Sequence, residues 1–138
     1  MSESVEERHE MRIESEDDIT LVRRKVRDLA ATCHFDIFLG AAVTTAASEL
    51  ARNVWVHAGH GVAVIERLTD DVRQGVRVEF RDEGPGIADL DRVLAGGYST
   101  ANSMGLGLSG SRRLVDEFSI DSAPGRGTRV TFVKWTPF

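Results

Sequence analysis

The sequence predicts an α+β fold, a two-layer sandwich in which helices pack on one face of a mostly antiparallel mixed sheet. Ile19, Val22, Val26, Leu29, Ala30 and Cys33 recur at three- and four-residue spacing, as do Val43, Ala46, Ala47, Leu50 and Val54, so two amphipathic helices come early in the chain. Val76, Val78 and Phe80 alternate with Arg77, Glu79 and Arg81, the two-residue period of a half-buried strand. Around that strand lie further short apolar runs separated by Gly, Pro and Asp turns, which supply the rest of the sheet.

In chain order, residues 1–10 are polar and charged without a period and read as a flexible tail, and residues 11–15 supply a short edge strand. Glu16, Asp17 and Asp18 place negative charge at the start of the first helix. Asp36 caps a second helix that runs to about His57 through the alanine-rich segment 41–51, whose small side chains allow close packing. On that helix Glu49, Asn53 and His57 stand at i, i+4 and i+8, one polar face beside the apolar stripe. Such a face is either simply solvated or turned toward a common site.

Residues 58–61 break the helix, a strand runs from Gly61 or Val62 to Leu68, and 69–75 turn into the strand 76–81 to make a hairpin. After it come a brief helical segment at 90–94 ended by Gly96 and Gly97, and a polar run, 98–104, that reads as a mobile loop. A third helix opens at Gly105 with Leu108, Leu114, Val115 and Phe118 available to the core, and two strands, 118–122 and 128–135, close the sheet.

Bulk properties exclude several classes. The 138 residues fit one domain with a substantial core, with 41% hydrophobic and 28% charged residues, and no apolar run approaches the roughly 20 residues of a membrane span. An acidic beginning, with no basic segment leading into an apolar one, predicts no secretory signal and no mitochondrial-type presequence, hence cytoplasmic residence. Cys33 is the only cysteine, which rules out an internal disulfide and a cysteine-rich zinc site. A net charge of -5 speaks against general nucleic-acid binding, and neither nucleic acid nor membrane is an expected partner. Arg23, Arg24, Lys25 and Arg27 read as a solvated helix face.

The strand 76–81 runs at once into Asp82-Glu83-Gly84-Pro85-Gly86-Ile87. Glycines there let a ligand approach the main chain and the proline stiffens the turn, although the same residues also make an ordinary surface turn. Gly105-Leu106-Gly107-Leu108-Ser109-Gly110 opens a helix with free backbone N–H groups, equally a phosphate cradle or a plain helix start. Together with Glu49-Leu50-Ala51-Arg52-Asn53, these segments in this order resemble the nucleotide-binding boxes of the GHKL (Bergerat-fold) ATPase and kinase superfamily. Gly97-Tyr98-Ser99-Thr100 and the helix from Gly105 to Phe118 further resemble the RsbT-type stand-alone serine/threonine-protein kinases of bacterial partner switching. The resemblance covers nearly everything after residue 10 and departs at Ser103, where such chains usually carry glycine, and at Ser109, where proline is common.

That resemblance implies a tail at 1–10 and a single ATP-binding kinase domain at 11–138. It implies ATP and Mg²⁺ as cofactors, with Asp82 accepting from the adenine amino group and Thr128 near the base, directly or through water. Gly84, Gly86 and Ile87 would lie against base and ribose, Asn53 would be the metal ligand, and Glu49 would take the proton of the attacking hydroxyl. Gly105, Leu106, Gly107 and Leu108 would border the phosphates, with Ser99, Thr100 and Ser103 in the lid. Arg52, Arg112 and Arg113 would meet phosphate, a partner or only solvent. His57 would accompany the site or serve the fold. Implied partners are STAS-domain antagonist and scaffold proteins of the RsbS and RsbR kind, phosphorylated in a stress-signalling pathway, and a downstream phosphatase. The alternative the same boxes allow is an RsbW-like anti-sigma factor that sequesters a sigma subunit.

Overall fold

The structure is a computed structural model and describes residues 3–89, 94 and 104–138, with side chains from 108 onward in the last stretch. Five strands, β1 (Ser4–Ile13), β2 (Gly61–Thr69), β3 (Gln74–Asp82), β4 (Glu117–Ser122) and β5 (Thr128–Trp135), form one sheet in the order β1-β2-β3-β5-β4. The sheet is antiparallel in every pairing among the described residues, as the expected mostly antiparallel sheet required, without the parallel pair that a mixed sheet would add. The crossover from β3 carries the chain one position past its neighbour, and the β4–β5 hairpin then fills the gap. β4 runs parallel to β3 but never pairs with it.

The helices are α1 (Glu16–Thr32), α2 (Ile37–Ala58) and α3 (Met104–Leu114), with α2 between the other two. Each well-defined end has a chemical cause. Asp18 Oδ2 accepts from the N–H groups of Glu14 and Ser15 at the start of α1, and Asp36 Oδ1 accepts from Leu39 N at 2.8 Å at the start of α2. Gly59, at φ 82°, ends α2 by donating to the carbonyls of Val54 and Trp55.

The core lies between the helices and one sheet face. Val22, Val26 and Leu29 from α1 and Val43, Ala46, Ala47 and Leu50 from α2 pack on Ala63, Ile65, Val76, Val78, Phe80, Val130 and Phe132. Leu114, Val115 and Phe118 reach this core as expected, Phe118 from β4 rather than from the helix. Leu94 also packs against it, while the rest of the segment 90–94 and the loop 98–103 lie outside the described residues. Cys33 is buried beneath Gly75, and desolvation pushes its thiol up to about 11, consistent with an inert core residue.

Residues 4–10 are not a tail: they are most of β1, paired with β2 from Ser4↔Thr69 to Ile13↔Gly61. The misreading has a physical origin. This edge strand has almost no apolar face, because Arg8 pairs with Glu66 and Glu10 with Arg81 on the open side of the sheet, while on the helix side Glu7 faces Arg67 and bonds to His9. Only Met11 and Ile13 enter the core. Charge is how edge strands resist pairing with other chains, and from sequence it looks like disorder.

Candidate functional site

At the end of the sheet where β3 stops, a narrow cleft opens between the C-terminal half of α2, the turn after β3 and the first described side chain of α3. Leu50, Val54, Phe80, Ile87, Leu108 and Val130 make apolar walls, and Asn53, His57, Asp82 and Thr128 are its polar groups. An apolar slot with a few convergent polar groups suits a flat heteroaromatic ligand.

Asp82 is placed by β3 itself, its register partner on β5 being Thr128. Its Oδ1 accepts from Gly84 N at 2.9 Å, and the backbone of Thr128 also donates to it. Burial nevertheless pushes the carboxyl above the ordinary carboxylate range, outweighing those donors and the nearby His57 and His60. His57 moves the other way. Desolvation holds its imidazole below the usual value and Asp82 only partly restores it, so it is neutral at pH 7.

The glycines of the turn have roles inside the protein. A Cβ on Gly84 would stand 2.7 Å from Ala58 Cβ, so this glycine lets the turn close onto the end of α2. Gly86 (φ 77°) would collide with the carbonyl of Ala123, and Gly127 (φ 77°) with that of Asp82. The two loops that floor the cleft therefore touch backbone to backbone. Gly86 lines the cleft; Gly84 does not.

The expected residues divide. Asn53, Asp82, Gly86, Ile87, Leu108 and Thr128 come together around one cleft. Glu49 is exposed and lies one turn away, in a groove between α1 and α2 with Thr20, Arg23, Ser48 and Arg52. Gly105, Leu106 and Gly107 stand in the first turn of α3, Arg112 and Arg113 in its last, and Ser99, Thr100 and Ser103 lie outside the described residues.

The Asn53 amide nitrogen is buried and has no hydrogen-bond partner among the described residues, so this donor is left for a bound group while the amide oxygen is the atom that could meet a cation. Among the described residues no cluster of three His, Cys, Asp or Glu could hold a metal. A single amide carbonyl fits an ion that keeps waters and binds mainly to phosphate oxygens.

Sequence reasoning missed Ser122. Its Oγ meets Ile87 N at 2.9 Å, Gly127 O at 2.9 Å and Thr128 Oγ1 at 2.8 Å, joining both loops beneath the cleft. A serine at a strand end before a turn carries no signal of this, since its partners are remote or depend on the turn's path.

Among known proteins, residues 40–137 match the family described as histidine kinase-, DNA gyrase B-, and HSP90-like ATPase. The chain is 42% identical over 125 residues to serine/threonine-protein kinase RsbT of Bacillus subtilis, covering 91% of this chain and 94% of that protein. It is 30% identical over 101 residues to the anti-sigma F factor of Caldanaerobacter subterraneus, covering 69% of each. The crystal structure of the SiaB-SiaC complex from Pseudomonas aeruginosa includes a chain of the same fold, with a TM-score of 0.57, 13% identity and coverage of 96% of this chain and 91% of that one. With a cleft built from the strand-end aspartate and the helix-borne asparagine, and with that match across residues 40–137, the chain belongs to the histidine kinase-, DNA gyrase B- and HSP90-like ATPase family.

Proposed function

We propose that this chain is an ATP-dependent protein serine/threonine kinase of a bacterial partner-switching system, acting in the cytoplasm on STAS-domain antagonist and scaffold proteins of the RsbS and RsbR kind. The observation that carries the reading is the division of the site: an apolar cleft with Asp82 at its polar end, and the exposed Glu49 outside it in a surface groove between α1 and α2. The likeness to a serine/threonine-protein kinase along most of the chain supports it.

The adenine would lie between Leu50, Val54, Ile87, Leu108 and Val130, with its amino group donating to Asp82, an acceptor when ionised. Thr128 adds a second polar contact at that end. Asn53 would hold Mg²⁺ through its side-chain carbonyl, and the bound ion would neutralise charge on the phosphate oxygens. The first turn of α3 would offer the backbone N–H groups of Gly105 and Gly107 to the phosphates, and Ser99 and Thr100, outside the described residues, would be lid contacts. Glu49 accepts the proton of the incoming hydroxyl, a role that exposure permits because the acceptor arrives on another protein. Reversal falls to a separate phosphatase.

The test is transfer of the γ-phosphate from labelled ATP to candidate STAS-domain proteins with Mg²⁺, beside Glu49→Ala. Transfer is expected to fall by about 100-fold in the variant while ATP affinity stays within about twofold. Full transfer by the variant would remove Glu49 from the chemistry. The 30% identity to an anti-sigma F factor favours a second reading, in which the chain sequesters a sigma subunit. ATP binding without labelling of any STAS protein, together with capture of a sigma subunit, would establish that reading instead.

A further inference from the structure

Asp82, Thr128 and Ser122 are register partners across β3, β5 and β4, so their side chains stand in a row at the end of the sheet beneath the cleft. The Ser122 hydroxyl has three neighbours, Ile87 N, Gly127 O and Thr128 Oγ1. A hydroxyl has one proton and two lone pairs. The Ile87 N–H can only donate and the Gly127 carbonyl can only accept, so all three contacts are hydrogen bonds in one arrangement alone, with the single Ser122 proton on the carbonyl. What remains on Ser122 is a lone pair, and the 2.8 Å contact to Thr128 is a hydrogen bond only if Thr128 donates.

The consequence lies in the cleft. Thr128 lines it, yet its proton is spent on Ser122, leaving Oγ1 to face a ligand with lone pairs alone. Asp82, with one oxygen already accepting from Gly84, is likewise an acceptor when ionised. We infer that Ser122 is a positioning residue for base selection: by holding the Thr128 proton it makes the polar end of the cleft an all-acceptor surface, matched to an amino group at the purine 6-position and mismatched to a carbonyl oxygen there. This rests on the reading that the cleft holds the base of ATP. Hypoxanthine carries a carbonyl at the 6-position in place of adenine's amino group, and an N1–H in place of adenine's bare N1, so the contact at the 6-position is what the Thr128 proton decides. In the intact site that oxygen meets lone pairs; without the Ser122 oxygen, the Thr128 hydroxyl is free to rotate and donate to it.

The experiment is calorimetric titration of the full chain with ATP and with inosine triphosphate, for the native protein, Ser122→Ala, Ser122→Thr, Thr128→Val and the Ser122→Ala/Thr128→Val double variant. The native chain is expected to prefer ATP by at least about tenfold. Ser122→Ala narrows that ratio by about threefold or more, chiefly because the inosine nucleotide gains affinity, whereas Ser122→Thr, which keeps the hydroxyl, retains it. In the Thr128→Val background, adding Ser122→Ala leaves the ratio unchanged, because the proton it controls is gone. Equal weakening of both nucleotides by Ser122→Ala, as a merely structural serine would give, overturns the inference, as does the same narrowing in the Thr128→Val background. Should circular dichroism show Ser122→Ala unfolded, Ser122→Cys, with its weaker acceptor, must narrow the ratio, and an unchanged ratio overturns the inference. A native chain that binds both nucleotides equally refutes the selection itself. One that binds neither refutes the nucleotide reading of the cleft.

Discussion

Asp82 sits where ligand binding and stability pull in opposite directions. Burial raises its pKa, so between the unfolded and the raised folded value the native chain holds more protons than the unfolded one. Its ionisation therefore costs stability at neutral pH, and the cost is relieved as pH falls through the raised folded value. His57 has the opposite sign. Its folded pKa is depressed, so it is neutral in both states and costs nothing above its unfolded value, and its protonation takes stability away as pH falls toward the folded one. Asp82→Asn removes the buried charge at constant size. The expected outcome is a melting temperature higher by about a degree or more in calorimetry, with ATP affinity lower by about tenfold or more in titration. A variant that binds ATP as tightly as the native chain would take Asp82 out of base recognition. Asp82 was legible in the sequence because an alternating strand ends on it; its raised pKa was not, because desolvation depends on α2 and β5 packing around it.

Loops and helices divide the glycines into two kinds that the sequence alone does not separate. Gly86 has positive φ and faces the Ala123 carbonyl, so Gly86→Ala combines backbone strain with a collision that only loop movement can relieve. A loss of about 2 kcal/mol or more in urea denaturation is expected, with the cleft disturbed as well. Gly40 lies within α2 and a Cβ there would meet nothing within 4 Å. Gly40→Ala should therefore stabilise by about 0.5–1 kcal/mol through helix propensity and leave nucleotide binding unchanged. Opposite signs for the two substitutions are the outcome to check. The helix elements were legible because α1 and α2 repeat apolar residues over many turns. Gly84 was open to two readings, a ligand approach or a tight turn, and its contact with Ala58 favours close packing of the turn on α2.

Across the whole molecule, the helices cover one sheet face, while ion pairs and a small apolar cluster of Leu68, Val133 and Trp135 cover the other. Arg77 binds both Glu66 and Glu3 at 2.7 Å, and Arg81 and Arg129 share Glu79. Exposed pairs of this kind add little stability one by one, but they let β1 complete the sheet without an apolar outer face. Removal of residues 1–10 should thus lower the urea midpoint and expose β2 as a new edge, whereas loss of a tail would leave the midpoint unchanged. No described helix is long and apolar enough to cross a membrane.

Local pattern determined the long helices α1 and α2 with the Asp36 cap, the β2–β3 hairpin, the inert Cys33 and the motifs around Asn53 and Asp82, because each depends on neighbours within a few residues. Only the tertiary structure decided the rest: that β1 begins at Ser4, that every strand pairing is antiparallel, that Glu49 stands outside the cleft, and that Ser122 lies under it. The physical reason is the same in each case. Strand partners, burial and the direction of a hydroxyl proton are set by residues distant in the chain, whose approach is fixed by packing of the whole core rather than by any local period.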